Sequence, residues 1–169
     1  MSSRPETGAD DRDLPPAVAG LLQEAADAHA QANRAEAILW SAQAMYPRCL
    51  PVYFALYKFY FYRGRLPDAE RAVRLALYAA ASQGGFAAEW SRATPATTDW
   101  SDTRGPQHFY LFSLKALAFI CLRRGRRADC VAILEKLAEI DPSDSVGVTV
   151  IRDLAAATAG LVPRAVIAR

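Results

Sequence analysis

Apolar residues recur along this chain at intervals of three and four, broken by short polar turns, the pattern of successive amphipathic helices. Val18, Leu21, Leu22, Ala25 and Ala26 form the first stripe, which runs to about His29. Asp13-Leu-Pro15-Pro16 precedes it, with Asp13 as a candidate cap and proline tolerated in a first turn. Gln31 to Arg34 reads as a turn. Ala35 to Met45 reads as a second helix, with Ile38, Leu39 and Ala42 on one face and Tyr46-Pro47 as its end. Next comes a run dense in rings, about residues 50–63: seven of the chain's seventeen Phe, Tyr and Trp residues lie between Tyr53 and Tyr62. Taken alone, that run fits a buried strand, a membrane-facing segment or the first helix of a pair. Gly64-Arg-Leu-Pro-Asp-Ala69 decides for the pair, because it opens a further amphipathic segment from Pro67 to about Ala81. Ala69, Val73, Ala76 and Leu77 face inward there, and Asp68 and Glu70 suit the positive end of the helix dipole.

The periodicity then lapses. Residues 84–105 hold Gly, Pro, Thr and Ser together with Trp90 and Trp100, and a loop of this length in a compact domain is functional or disordered more often than not. Phe86 to Trp90 is expected to form one helical turn. Asp99 to Pro106 is turn chemistry leading into a helix start. Pro106 to Arg124 is again densely apolar, Ala128 to Ile140 follows it, and a last helix is expected over about 144–159, stopping at Gly160. Residues 1–13 are polar and are expected to be disordered, 14–160 to form a single domain, and 161–169 to be a frayed tail.

Composition narrows the function classes. The chain has 169 residues, enough for one domain with a real core, and its 52 % hydrophobic and 22 % charged content is that of a folded protein. A net charge of +2 argues for neither nucleic acid nor an acidic membrane surface. No apolar run reaches the ~18 residues of a membrane span, and the polar start has no signal core, so a cytoplasmic location is expected. Cys49, Cys121 and Cys130 are odd in number and widely spaced, which fits neither a disulfide framework nor a zinc pattern. His29 and His108 have no third ligand grouped beside them in sequence. There is no phosphate-binding glycine loop and no nucleophile elbow, so neither enzymatic activity nor a cofactor or metal is expected.

Three helix pairs superimpose. Aligning Ala35, Ala69 and Cys130 brings Leu39, Val73 and Leu134 into line four residues later, and Ala42, Ala76 and Leu137 three further on. The step from Ala35 to Ala69 is 34 residues; that from Ala69 to Cys130 is 61, or 34 plus a 27-residue insertion at the irregular stretch. On these residues the chain resembles the tetratricopeptide repeat family over roughly 16–159. The second unit carries Tyr53, Leu56, Tyr60, Gly64, Ala69 and Ala76 at the family spacing. The third carries Leu114, Leu117, Ala118, Cys121, Gly125, Leu134 and Asp141-Pro142. The first carries Leu22, Ala26, Ala30, Ala35, Leu39, Ala42 and Pro47. Tyr57 and Gln23 stand where the family keeps a small residue, and the second unit lacks the terminal Pro.

The resemblance implies an all-α fold of antiparallel helix-pair repeats in a right-handed solenoid, about seven helices including a terminal capping helix, with one long insertion. It makes Tyr53, Leu56 and Tyr60 core residues. It also implies a concave groove lined by the first helix of each pair: Phe54, Lys58, Phe61 and Tyr62 from the second unit, Phe112, Lys115, Phe119, Leu122 and Arg123 from the third, and Glu24 and Asp27 as an acidic lip. Phe59 joins Phe54, Phe61 and Tyr62 as a surplus of rings beyond what the repeat needs. The expected function is non-catalytic binding of a peptide segment or protein partner, as an adaptor or small chaperone. The family's clamp for acidic chaperone tails uses paired Lys and Asn, and Asn is absent from every matching position. Lys58, Lys115 and Arg123 are open to two readings, solvated charges or a carboxylate site. Trp90 and Trp100 either pack back on the scaffold to patch the gap between units, or belong to a loop that folds over the groove or meets a partner. The alternative function is a homodimeric assembly protein. Bacterial type III secretion chaperones are similar in size and unit count but lack the insertion, and the loop sequence is similar to small repeat proteins of bacterial nitrogen-fixation clusters.

Overall fold

A computed structural model describes residues 14–159, so the expectations for 1–13 and for 160–169, including the Asp13 cap and the Gly160 stop, lie outside the described residues. Among the described residues there are seven α-helices and no strand. They are α1 Pro16–Asp27, α2 Ala32–Met45, α3 Leu50–Tyr62, α4 Leu66–Gly84, α5 Pro106–Arg123, α6 Arg127–Ile140 and α7 Thr149–Ala159. No helix among them is long and apolar enough to cross a membrane.

Several boundaries differ from expectation. The first turn falls at Ala28–Gln31, three residues early, because Asn33 and Arg34 already lie in α2. Helix α4 continues past Ala81 to Gly84 and ends at Gly85. The single turn expected over Phe86–Trp90 forms instead as a 3₁₀ turn at Trp90–Arg92. The last helix starts at Thr149 rather than near 144. Asp144 and Gly147 both take left-handed backbone angles (φ 53° and 69°), which an α-helix cannot accommodate. The Asp144 carboxylate then accepts the Val148 N–H at 2.7 Å and the Thr149 hydroxyl at 2.9 Å, and so caps α7.

Helices α3 and α5 end alike. Gly64 and Gly125 each adopt φ near 70°, open to glycine without a Cβ clash. At the first, Arg65 N–H bonds back to the Tyr60 carbonyl and Gly64 N–H to that of Phe61. At the second, Arg126 N–H bonds to Cys121 and Gly125 N–H to Leu122, the same double-bonded cap 61 residues later. The aligned trios of the sequence (Ala35, Ala69, Cys130; Leu39, Val73, Leu134; Ala42, Ala76, Leu137) are all buried.

Each of the first three pairs packs internally, and α4 presses along both α3 and α5. Gln83, near the end of α4, donates to the Arg48 carbonyl just before α3 at 2.9 Å, so these two helices run antiparallel. The buried side of α4 is mostly alanine: Ala69, Ala72, Ala76, Ala80 and Ala81, with Val73 and Leu77. Small contact residues let helix axes approach closely.

Two polar networks fix the pairs. In the first, Trp40 Nε1 donates to the Tyr60 hydroxyl at 2.7 Å, which donates to Glu36 at 2.7 Å, while Arg65 bonds the same carboxylate and lies over the Tyr60 ring. These bonds hold Glu36 below its ordinary carboxylate range. In the second, Glu70 is only 6 % exposed and takes Arg74, Arg124 and Arg126. Burial opposes its ionisation, but the hydrogen bonds from Arg74 and Arg124 and the Arg126 charge outweigh that and lower its pKa.

A carboxyl whose pKa is lowered on folding adds stability above its unfolded value and loses it as pH falls. Glu70→Gln is therefore expected to cost about 2 kcal/mol at neutral pH, less than a fully buried pair because the arginines stay partly in water. The denaturation midpoint of the native chain should drop more steeply than that of E70Q between about pH 5 and pH 3, measured by urea titration.

Candidate functional site

Helix α3 carries rings around most of its circumference, so different rings meet different surroundings. Tyr53, Leu56 and Tyr60 are buried, as the repeat spacing implies. Tyr53 donates to the Pro47 carbonyl at 2.7 Å, which satisfies its hydroxyl. Phe59, expected among the surplus rings, is also buried. The Arg63 guanidinium covers it at 3.9 Å while bonding the His29 carbonyl at 2.6 Å. Half-buried on α3 are Phe54, Tyr57, Lys58 and Phe61 together with Leu50, Pro51 and Ala55, and Tyr62 is the most open at 72 % exposure.

These side chains meet α5 ring to ring. Phe54 lies 4.3 Å from Phe109 and 6.3 Å from Phe112, and Phe61 lies 5.3 Å from Phe119. Tyr57 bridges Phe54 and Phe61 at 6.2 and 5.8 Å. Because Phe54 meets Phe112 and Phe61 meets Phe119, seven residues on in both helices, α3 and α5 run parallel and in register. Beyond a few such contacts the two helices touch little, since α4 lies against both. The result is a row of half-buried rings along the α3–α5 seam, with Phe109 buried beside Phe54.

Charge on this face is one-sided. Neither α3 nor α5 contains an Asp or Glu. Arg123 lies over the Phe61 ring at 5.5 Å. Among the described residues neither Arg123 nor Lys58 has a carboxylate partner. Lys115 differs from expectation: its Nζ donates to the Val146 carbonyl at 2.7 Å, so it ties α5 to the segment before α7, and burial lowers its pKa against the pull of Asp144. Leu122 is half-buried against the core. On α1, Glu24 pairs with Arg34 at 3.3 Å and Asp27 accepts from Gln23, both on the exposed surface.

Phe109, Tyr57 and His108 also line this face, none of them among the groove positions that the resemblance implies. Tyr57 stands where the repeat favours a small residue, yet it completes the row of rings, and burial pushes its hydroxyl pKa up to about 12. His108 packs edge-on against Phe112 at 4.9 Å with its Nδ1 buried and without a hydrogen-bond partner. Burial lowers its pKa, opposed by Asp141 and Asp102. The first turn of α5 brings it beside Phe112 four residues on, a helical spacing legible in the sequence.

The insertion lies elsewhere. Trp100 is 6 % exposed, donates Nε1–H to the Thr94 carbonyl at 2.9 Å, and packs on Phe86 and Tyr110. Trp90 is half-buried against the same core. Lys136 of α6 donates to the Ala93 carbonyl at 2.9 Å. The rings Trp100 approaches, Phe86 and Tyr110, are not those of the α3–α5 face. A separate cleft of about 400 Å³ lies between α6 and α7, lined by Arg127, Val131, Leu134, Ala138, Arg152 and Ala155. Among the described residues, no group of three or more His, Cys, Asp or Glu could hold a metal ion.

No family model and no solved structure matches the chain. It is similar to an uncharacterized 19.8 kDa protein in the nifW 5′ region of Azotobacter chroococcum mcd 1, with 32 % identity over 148 residues, covering 86 % of this chain and 82 % of the relative.

Trp100→Ala should destabilise the fold by about 3 kcal/mol, the usual cost of emptying a buried aromatic site. Trp90→Ala should cost less than half as much. Thermal denaturation of both variants checks this; equal losses would contradict the placement of the two rings.

Proposed function

The chain belongs to the family of the Azotobacter chroococcum nifW 5′-region protein, and we propose that it is a non-catalytic interaction protein that holds a peptide segment or protein partner against its α3–α5 face. The observation that carries this reading is the pair of half-buried ring contacts, Phe54 with Phe112 and Phe61 with Phe119, in parallel register beside exposed Tyr62. A contiguous apolar surface rimmed by polar residues is characteristic of binding sites. Large rings gain contact area at small entropic cost, which makes them effective anchors.

In this reading α1–α6 are three tetratricopeptide-like units of a right-handed solenoid, and α7 caps the last. Support comes from the identical caps at Gly64 and Gly125 and from burial of all nine aligned positions. Small residues at the crossings and neighbour-on-neighbour burial are what a stacked repeat requires. A second reading concerns context: the relative's nifW 5′ region favours an accessory role in bacterial nitrogen fixation over type III secretion. In that setting the chain would act as adaptor, assembly factor or small chaperone.

Phe61→Asp and Tyr62→Glu separate a partner groove from a homodimer interface. With the fold verified by circular dichroism, capture of partner from the native host should fall at least about tenfold, the loss of a ~2 kcal/mol anchor. The light-scattering mass should not change. A dimer that these substitutions make monomeric would favour the assembly role, and unchanged capture would overturn the groove.

A further inference from the structure

The partner's chemistry can be read from the same face, an inference that rests on the interaction reading above. The two ring contacts are seven residues apart on both helices, which at about 1.5 Å rise per residue sets them ~10 Å apart. Lys58 lies between them on α3, four residues after Phe54 and three before Phe61. Arg123 lies beyond them, over Phe61. Lys115 sits at the matching level of α5 with donors to spare beyond its one bond to Val146. Most arginines of the second and third units are matched: Arg65, Arg71, Arg74, Arg124 and Arg126 all meet Glu36, Asp68, Glu70 or Asp129. The cations of this face stand apart from that pattern, on two helices that hold no acid at all.

We propose that the α3–α5 face takes an amphipathic helix whose apolar anchors are two turns apart and whose carboxylates lie between and beside those anchors. A helix at i and i+7 spans ~10.5 Å on one side, matching the spacing of the ring contacts. An extended strand does not match. At about 3.3 Å per residue the same distance needs anchors three residues apart, and those point to opposite faces. Carboxylates at i+3 or i+4 of the bound helix come level with Lys58 and Lys115, and one past the second anchor reaches Arg123. A carboxylate beside Lys115 also offsets the burial that disfavours its charge in the free protein. Cations beside rings also attract single-stranded nucleic acid, but that mode needs a groove of positive charge that tracks a backbone, and three cations around one row of rings do not supply it.

The test uses a phage-displayed library of random 16-residue peptides selected on the full chain. Enriched peptides are then synthesised and measured by fluorescence anisotropy against the native chain, Lys58→Glu and Phe61→Ala. The expected winners carry large apolar residues at i and i+7 with Asp or Glu at i+3 or i+4. They should bind K58E at least tenfold more weakly, and exchanging their acidic residue for Lys should recover binding to K58E. Winners that depend on Phe61 but are neutral or basic, and indifferent to K58E, would overturn the acidic partner while leaving the groove standing. No enrichment, or winners indifferent to both variants, would overturn the groove as well. Displacement of every winner by an oligothymidylate that itself binds more tightly would overturn the proposal in favour of nucleic acid.

Discussion

The close seating of α4 between α3 and α5 is the constraint on which the rest depends. Its buried side is alanine at five positions, so both neighbours settle deeply on it. With α4 beneath them, α3 and α5 lie parallel and side by side yet meet only through their larger side chains. Rings that would otherwise be core therefore end half-buried along a seam. Replacing the small residues by large ones would lift α3 and α5 and undo the register of Phe54 with Phe112 and of Phe61 with Phe119. The segment 85–105 sits between α4 and α5 without loosening that contact. Its Trp100 packs against Tyr110 and finds a carbonyl for its indole N–H.

Charge reinforces this geometry rather than creating it. Glu70 inside three arginines joins the start of α4 to the α5–α6 turn, and Glu36 with Arg65, Tyr60 and Trp40 joins α2 to the α3–α4 turn. Each network sits at a glycine cap, where the chain reverses and carbonyl groups would otherwise lack partners. Acidic residues are thereby drawn to the turns and the outer helices. The seam keeps the cations, and the contrast gives the face its character.

Much of this is legible in the sequence. Helix number, pairing and the inward stripes followed from the spacing of Ala, Leu and Val, because a period near 3.6 has one structural meaning over ten or more residues. The ring-rich helix was harder. With aromatic residues on nearly every side of α3, periodicity cannot tell which ring is covered, and Phe59 proved buried because Arg63 folds over it. Lys115 looked like its neighbours on the groove stripe, but a carbonyl 31 residues later holds its ammonium group. The start of α7 is not legible in the sequence because Asp144 adopts a positive φ that its residue type tolerates without requiring. On sequence grounds alone Trp100 fits a cover for the α3–α5 face as well as a patch on the scaffold; the Thr94 carbonyl and the Tyr110 ring hold it on the scaffold.

The central claim is that the seam between α3 and α5 is where a partner sits. Fluorine NMR of the chain labelled with fluorophenylalanine at its seven Phe positions tests it most directly. On adding the partner captured from the host, Phe54, Phe61, Phe112 and Phe119 should shift while Phe59 and Phe86, covered by Arg63 and by the insertion, stay in place. Shifts confined to Phe86, or binding without any shift along the seam, would contradict the account.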